Sequence, residues 1–210
     1  MCRLISIGLI GALGILGGCA SLSESQCIAS DWQSVGYRDG LAGTGSSQIL
    51  KHQNACVKHG TIPDREAYLA GWNEGVAQYC QPQNGFNAGE RGASYKSVCP
   101  EYMKDAFYAA YQEGRRLHLA EAEINSLSRS VSQKEHRLKQ IRSQISTTEA
   151  RLVDDSTQAI ERRELLDETK DLAQEQGQLT AEIQDLKVDI ALKRERLERL
   201  RHTLAYAAFE

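Results

Sequence analysis

Residues 117–152 read LHLAEAEINSLSRSVSQKEHRLKQIRSQISTTEARL, and this stretch decides the fold. A heptad runs through Ala110, Leu117, Ile124, Val131, Leu138, Ile145 and Leu152, interleaved with Ala106, Glu113, Ala120, Leu127, Lys134, Ile141 and Thr148. Apolar residues alternating three and four apart make a coiled-coil seam. A second heptad follows through Leu165, Leu172, Leu179, Leu186 and Leu200, interleaved with Ile183, Ile190, Leu197 and Leu204. The two series slip by three residues around Val153-Asp154-Asp155-Ser156-Thr157. One continuous helix with a stammer would accommodate the slip, and so would a turn. A turn at Asp155 makes facing positions add to 310, which sets Ile124 against Leu186, Val131 against Leu179 and Lys134 against Gln176. Apolar then meets apolar and polar meets polar, so an antiparallel hairpin within one chain is the favoured reading, with Asp155 and Ser156 capping its second arm.

Outward from this seam the chain changes character. Of 17 Gly, ten lie between Gly36 and Gly92, and only Gly114 and Gly177 come later. All three Pro and all six Cys lie in the first hundred residues, and no aromatic occurs from Gln112 to Ala205. The averages (210 residues, 41% hydrophobic, 25% charged, net charge −3) conceal these separate parts. With no basic excess to neutralise phosphates, a nucleic-acid partner is not expected. Residues 115–204 carry 17 Lys/Arg and 17 Asp/Glu, the mixed exterior of a solvated coiled coil.

The start resembles an export signal. Arg3 precedes an apolar run from Leu4 to Leu16, too short and Gly-rich for a good membrane-spanning helix. Leu16-Gly17-Gly18-Cys19 resembles a bacterial lipobox. That resemblance implies cleavage before Cys19, lipid on its sulfur and an acyl chain on its amine, which suffices for stable anchoring in a membrane. Ala20, in place of Asp, implies export to the outer membrane, with the chain on its periplasmic face. The expected organisation is a signal over 1–18, a lipidated linker over 19–26, a helical module over 27–100 and a coiled-coil hairpin over 101–205.

Cys2 leaves with the signal and Cys19 takes the lipid, so four cysteines remain: Cys27, Cys56, Cys80 and Cys99. An even count in a small exported region predicts two disulfides, with three possible connectivities. Helices over 30–41 and 46–58, folded back on each other, favour Cys27–Cys56, which leaves Cys80–Cys99. His52-x3-Cys56-x2-His59 is a weak metal pattern without paired short spacings, and no metal or other cofactor is expected.

The module repeats an aromatic–glycine pattern. Trp32-x3-Gly36-x3-Gly40 is followed by Tyr68-x2-Gly71-Trp72-x2-Gly75 and by a looser Phe86-x2-Gly89-x2-Gly92-x2-Tyr95. On a helix such glycines share a face and let another backbone approach. The aromatics read first as core; an alternative makes Trp32, Trp72 and Tyr79 a platform for cell-wall glycan or peptide. No nucleophile–base pair, phosphate loop or metalloprotease motif is present, and the expectation is a protein without catalytic activity.

Several strings together resemble a known family: Cys27-x3-Asp31-Trp32-x2-Val35-Gly36-x2-Asp39-Gly40, Gly60-x2-Pro63-Asp64, Tyr68-x2-Gly71-Trp72-x2-Gly75, Asn84-Gly85-Phe86-x2-Gly89-x2-Gly92 and Val98-Cys99-Pro100. The set is similar to bacterial lipoproteins carrying domain of unknown function 2799, over roughly residues 24–118. The resemblance implies placement in the cell envelope and brings no activity with it. The chain is therefore expected to be all-α, a small disulfide-stapled domain followed by a long antiparallel hairpin. Its expected role is a structural or adaptor component that meets an envelope protein through the coiled coil.

Overall fold

The computed structural model describes residues 23–29 and 31–207. The lipidation expected at Cys19 and the signal expected over 1–18 lie outside them. Among the described residues seven α-helices follow in order: α1 (Glu24–Ala29), α2 (Trp32–Leu41), α3 (Gln48–Cys56), α4 (Arg65–Tyr79), α5 (Pro82–Glu90), α6 (Glu101–Leu152) and α7 (Ala159–Ala207). A 3-10 turn over Val57–His59 closes α3. The chain divides into two compact units, one ending at Tyr79 and one beginning at Cys80. The boundary expected at residue 100 therefore falls inside the second unit.

In the first unit α2 lies against α4. Asp31 starts α2 by accepting from the Gln33 amide at 3.1 Å and the Ser34 hydroxyl at 2.6 Å, and these bonds hold its carboxyl below the usual range. Asp64 starts α4 in the same way, accepting from the Ala67 amide at 3.0 Å. The two helices meet without side chains between them. A Cβ on Gly36 would fall on the Tyr68 carbonyl, one on Gly40 would lie 2.6 Å from the Val76 nitrogen, and one on Gly75 would lie 2.8 Å from the Leu41 nitrogen. Gly43, at φ 62°, turns the chain out of α2 under the ring of Tyr79. Cys27, Trp32, Val35, Ile49, Cys56 and Tyr68 fill the core beside this contact.

The second unit repeats the device. A Cβ on Gly85 would meet the Phe107 carbonyl, and one on Gly89 would lie 2.7 Å from the Arg115 nitrogen. Gly92, at φ 72°, turns the chain under the ring of His118. The spacing Gly36-x3-Gly40-x2-Gly43 thus recurs as Gly85-x3-Gly89-x2-Gly92, and Tyr68-x3-Trp72-x2-Gly75 recurs as Phe107-x3-Tyr111-x2-Gly114. The repeating object is a pair of helices, and the partner of α5 is the start of the long helix α6.

Beyond Gly114, α6 and α7 form the antiparallel hairpin, 52 and 49 residues long or about 78 and 73 Å. Leu117, Ile124, Val131 and Leu138 pack with Ile183, Ile190 and Leu197 in one buried cluster. The turn lies where the heptads slip, but the facing register differs from the expected sum of 310. Arg137 forks onto Glu175 at 2.8 and 2.9 Å, partner numbers adding to 312 on one flank of the seam. Glu135–Lys187 at 2.7 Å and Glu121–Arg201 at 2.5 Å add to 322 on the other flank. Exposed pairs of this length bracket a facing sum of about 317, one heptad beyond the expected value. Val131 then stands level with Leu186, and Leu152 with Leu165. Thr148, which is buried, stands level with Thr169. Lys134 and Lys193 occupy interior positions opposite Ile183 and Ile124, and each reaches out along the seam to a carboxylate, Glu182 at 2.5 Å and Glu123 at 2.8 Å. The Lys134/Gln176 layer does not form. A sum of 310 requires a symmetric turn at Asp155, whereas α7 begins about a turn and a half above the end of α6.

Candidate functional site

Both disulfides have the expected partners. Cys27 bonds Cys56 across 5.4 Å between Cα atoms, and Cys80 bonds Cys99 across 5.6 Å. Cys27 lies in α1 and ties it to the end of α3, and Cys80 just ahead of α5 ties to Cys99 just ahead of α6. Closing loops of this length stabilises each pair by about 3 kcal/mol in the chain-entropy picture. With Cys56 bridged, the His52-x3-Cys56-x2-His59 spacing has no thiolate to offer a metal. Among the described residues no group of three His, Cys, Asp or Glu side chains is placed to hold one.

The platform residues take separate roles. Trp32 is 8% exposed and belongs to the core, with its ring centroid 6.3 Å from that of His52. Trp72 is half-buried and donates its indole N–H to the Thr44 carbonyl at 2.7 Å. Tyr79 is half-buried above Gly43. Trp32 thus has almost no face to give a ligand, and Trp72 has its polar edge committed to the loop after α2.

A buried polar network escaped the sequence reading. Asp39 Oδ2 accepts the Tyr68 hydroxyl at 2.7 Å and meets His52 Nε2 at 2.8 Å. Tyr68 is 0% exposed, and burial, then the hydrogen bond to Asp39, pushes its hydroxyl well above the usual tyrosine range. One carboxylate oxygen so joins α2, α3 and α4. The geometry is a structural clamp: one carboxylate oxygen is shared by two ring side chains from neighbouring helices. His52 and Asp39 are 13 residues apart with no motif between them, so only the packing of α2 on α3 reveals the pair.

The tip of the hairpin is the other built feature. Asp154 Oδ1 accepts from the Ser156 amide at 2.8 Å and hydroxyl at 2.5 Å, while Thr157 Oγ1 donates to the Arg151 carbonyl at 2.7 Å. Arg162 reaches back from α7 to the carbonyls of Thr157 at 3.0 Å and Asp154 at 2.9 Å, and Arg151 pairs with Glu161. Asp154, rather than Asp155 or Ser156, organises the turn, and its bonds to Ser156 hold its carboxyl below the usual range. On this ordered turn Val153 is 79% and Ile160 72% exposed, beside the exposed Asp155. No helix among the described residues is long and apolar enough to cross a membrane.

Residues 31–116 match the family described as "Protein of unknown function (DUF2799)". The match opens at Asp31, the cap of α2, and closes two residues after Gly114, so it holds both glycine-locked helix pairs and stops where the rod heptads take over. The chain carries this domain. Among curated proteins and among solved structures, none matches the chain.

Proposed function

We propose that this chain, in which the family's domain runs directly into a coiled-coil hairpin, is an outer-membrane lipoprotein anchored at Cys19, which acts without catalysis as an adaptor and meets an envelope protein through the rod. The observation that carries the reading is the tip. A turn locked by five side-chain hydrogen bonds from Asp154, Thr157, Ser156 and Arg162 holds Val153 and Ile160 in water. Two large apolar side chains fixed in solvent suit a small docking contact, because little conformational entropy is left to lose on binding. Cross-helix ion pairs run along the flanks of the rod, and among the described residues beyond Gly114 Val153 and Ile160 are its most exposed large apolar side chains, ahead of Val188 at 60% and Leu166 at 58%. Two disulfides support an oxidising compartment, and the Leu16-Gly17-Gly18-Cys19 string supports lipid attachment.

The facing register supplies the test. Removing residues 131–186 and joining Ser130 to Lys187 through a short glycine turn shortens the rod between two residues that stand level, and leaves Gly114 and His118 in place. Affinity capture from cross-linked envelopes should recover a partner with the full chain and lose it with the shortened one. Unchanged capture would mean that the rod is not the contact. Binding to purified cell-wall glycan abolished by Trp72→Ala would favour the platform reading instead.

A further inference from the structure

The first unit also holds a groove that neither the rod nor the Asp39 network uses. Its volume is about 300 Å3, and it lies between the first half of α3 and the start of α4. Ile49, Pro63 and Leu69 give it an apolar lining, and Ser47, Gln53 and Arg65 a polar one. Ile49 and Pro63 are buried, so the floor is fixed by the core. The Ser47 hydroxyl makes no capping bond to α3. The side chains of Gln53 and Arg65 make no hydrogen bond or ion pair with any described residue. No Asp or Glu lines the groove, and the neighbouring carboxylate of Asp64 is committed to the Ala67 amide at 3.0 Å. Arg65 is therefore a cation that forms no ion pair with a described carboxylate, at the edge of an apolar floor.

Such a wall complements an apolar ligand with one negative charge. A guanidinium offers parallel N–H donors that match a carboxylate in two-pronged fashion. The hydroxyl and amide distinguish two ligands of that description. A fatty acid covering the floor would shut Ser47 and Gln53 away from water without partners, an unfavourable arrangement. The last peptide group of a peptide chain offers both a donor and an acceptor to them. The volume stands at the low end of ligand sites, roughly 300–1,000 Å3, which suits a terminus of a few residues.

We propose that this groove captures the C-terminal end of a short apolar peptide. Arg65 holds the terminal carboxylate, Ser47 and Gln53 bond the last peptide unit, and Ile49, Pro63 and Leu69 lie under its side chains. The site is independent of the rod, so either reading can fail alone. The test is a titration of the purified full chain, followed by backbone amide shifts, with N-acetyl-Leu-Leu, its C-terminal amide and hexanoate. The dipeptide acid is expected to move the Ser47, Gln53 and Arg65 signals and to saturate at roughly millimolar concentration. The amide and hexanoate should bind at least about tenfold more weakly, and Arg65→Gln should weaken the acid by about tenfold while its thermal unfolding stays unchanged. Arg65→Lys should retain part of the binding, because charge survives and the fork does not. Equal binding of acid and amide, hexanoate binding as tightly as the peptide, indifference to Arg65→Gln, or no shift at any of these residues would each overturn the proposal.

Discussion

Gly75→Ala sets two ordinary effects against each other. In an exposed helix Ala stabilises by about 1 kcal/mol relative to Gly. At residue 75 the new Cβ would meet the Tyr37 carbonyl, 2.8 Å from the Leu41 nitrogen where ordinary contact begins at 3.4 Å. These are backbone atoms, so relief requires α2 to move away from α4, which loosens the cluster of Cys27, Trp32, Val35, Ile49 and Tyr68. Overpacking against rigid neighbours costs about 1–3 kcal/mol, and three backbone atoms inside contact distance place this case at the upper end. The net expectation is a destabilisation of about 2 kcal/mol, or a Tm lowered by roughly 10 °C for a unit of this size. The chain has two Trp, Trp32 and Trp72, and both lie in the first unit, so tryptophan fluorescence during thermal unfolding reads that unit alone. A Tm equal to or above that of the unmodified protein would refute the close approach of α2 and α4. Gly177→Ala is the counterpart: nothing lies within 4 Å of the added Cβ, and α7 should gain about 1 kcal/mol.

Three further outcomes follow from the structure. Tyr68 has its folded-state pKa raised above the reference of 10.0, so the unfolded chain releases this proton first and stability falls as pH rises past about 10. The slope is about 1.4 kcal/mol per pH unit, and denaturant titrations across that range should find it absent in Tyr68→Phe. Asp39→Ala leaves the Tyr68 hydroxyl and His52 without their shared acceptor and should cost about 2–3 kcal/mol by fluorescence-monitored unfolding, whereas a loss below about 0.5 kcal/mol would show the clamp to be idle. Cysteines at Val131 and Leu186 should oxidise to a bridge within one chain, seen by mass and gel mobility. The Val131/Leu179 pair, offset by a heptad or about 10 Å along the axis, lies outside the 4.4–6.8 Å Cα window and should not.

Periodicity made the large features of this chain readable. The slip of the two heptads located the turn, and the even cysteine count with the helices over 30–41 and 46–58 located the bridges. The register was not readable. Any two heptads can be aligned at one sum in seven, and the choice between 310 and 317 depends on how far the Asp154 turn climbs before α7 begins. The duplication was partly readable. Gly85, Gly89 and Gly92 repeat the spacing of Gly36, Gly40 and Gly43, yet Gly114, the counterpart of Gly75, sits at the head of the long heptad run, where a lone glycine reads as a flaw in the rod. The Asp39–His52–Tyr68 network left no trace, because three residues from three helices meet only after packing. The place of Trp32 was open for a related reason: spacing puts it on a helix face, but whether that face meets water or Cys56 and Tyr68 is decided by the neighbours.

Both built sites sit on rigid elements. The groove beside Arg65 has a core-fixed floor, and the tip has its turn fixed by Asp154 and Arg162. The tip is the proposed contact with an envelope partner. Site-specific photo-cross-linking in intact cells tests this most directly, with a photoreactive residue placed in turn at Val153, Ile160, Leu119 and Leu192, all of which are exposed on α6, α7 or the tip. The account predicts a discrete protein adduct from Val153 and Ile160, and none from Leu119 or Leu192 on the sides of the rod. Adducts from the sides with none from the tip would contradict it.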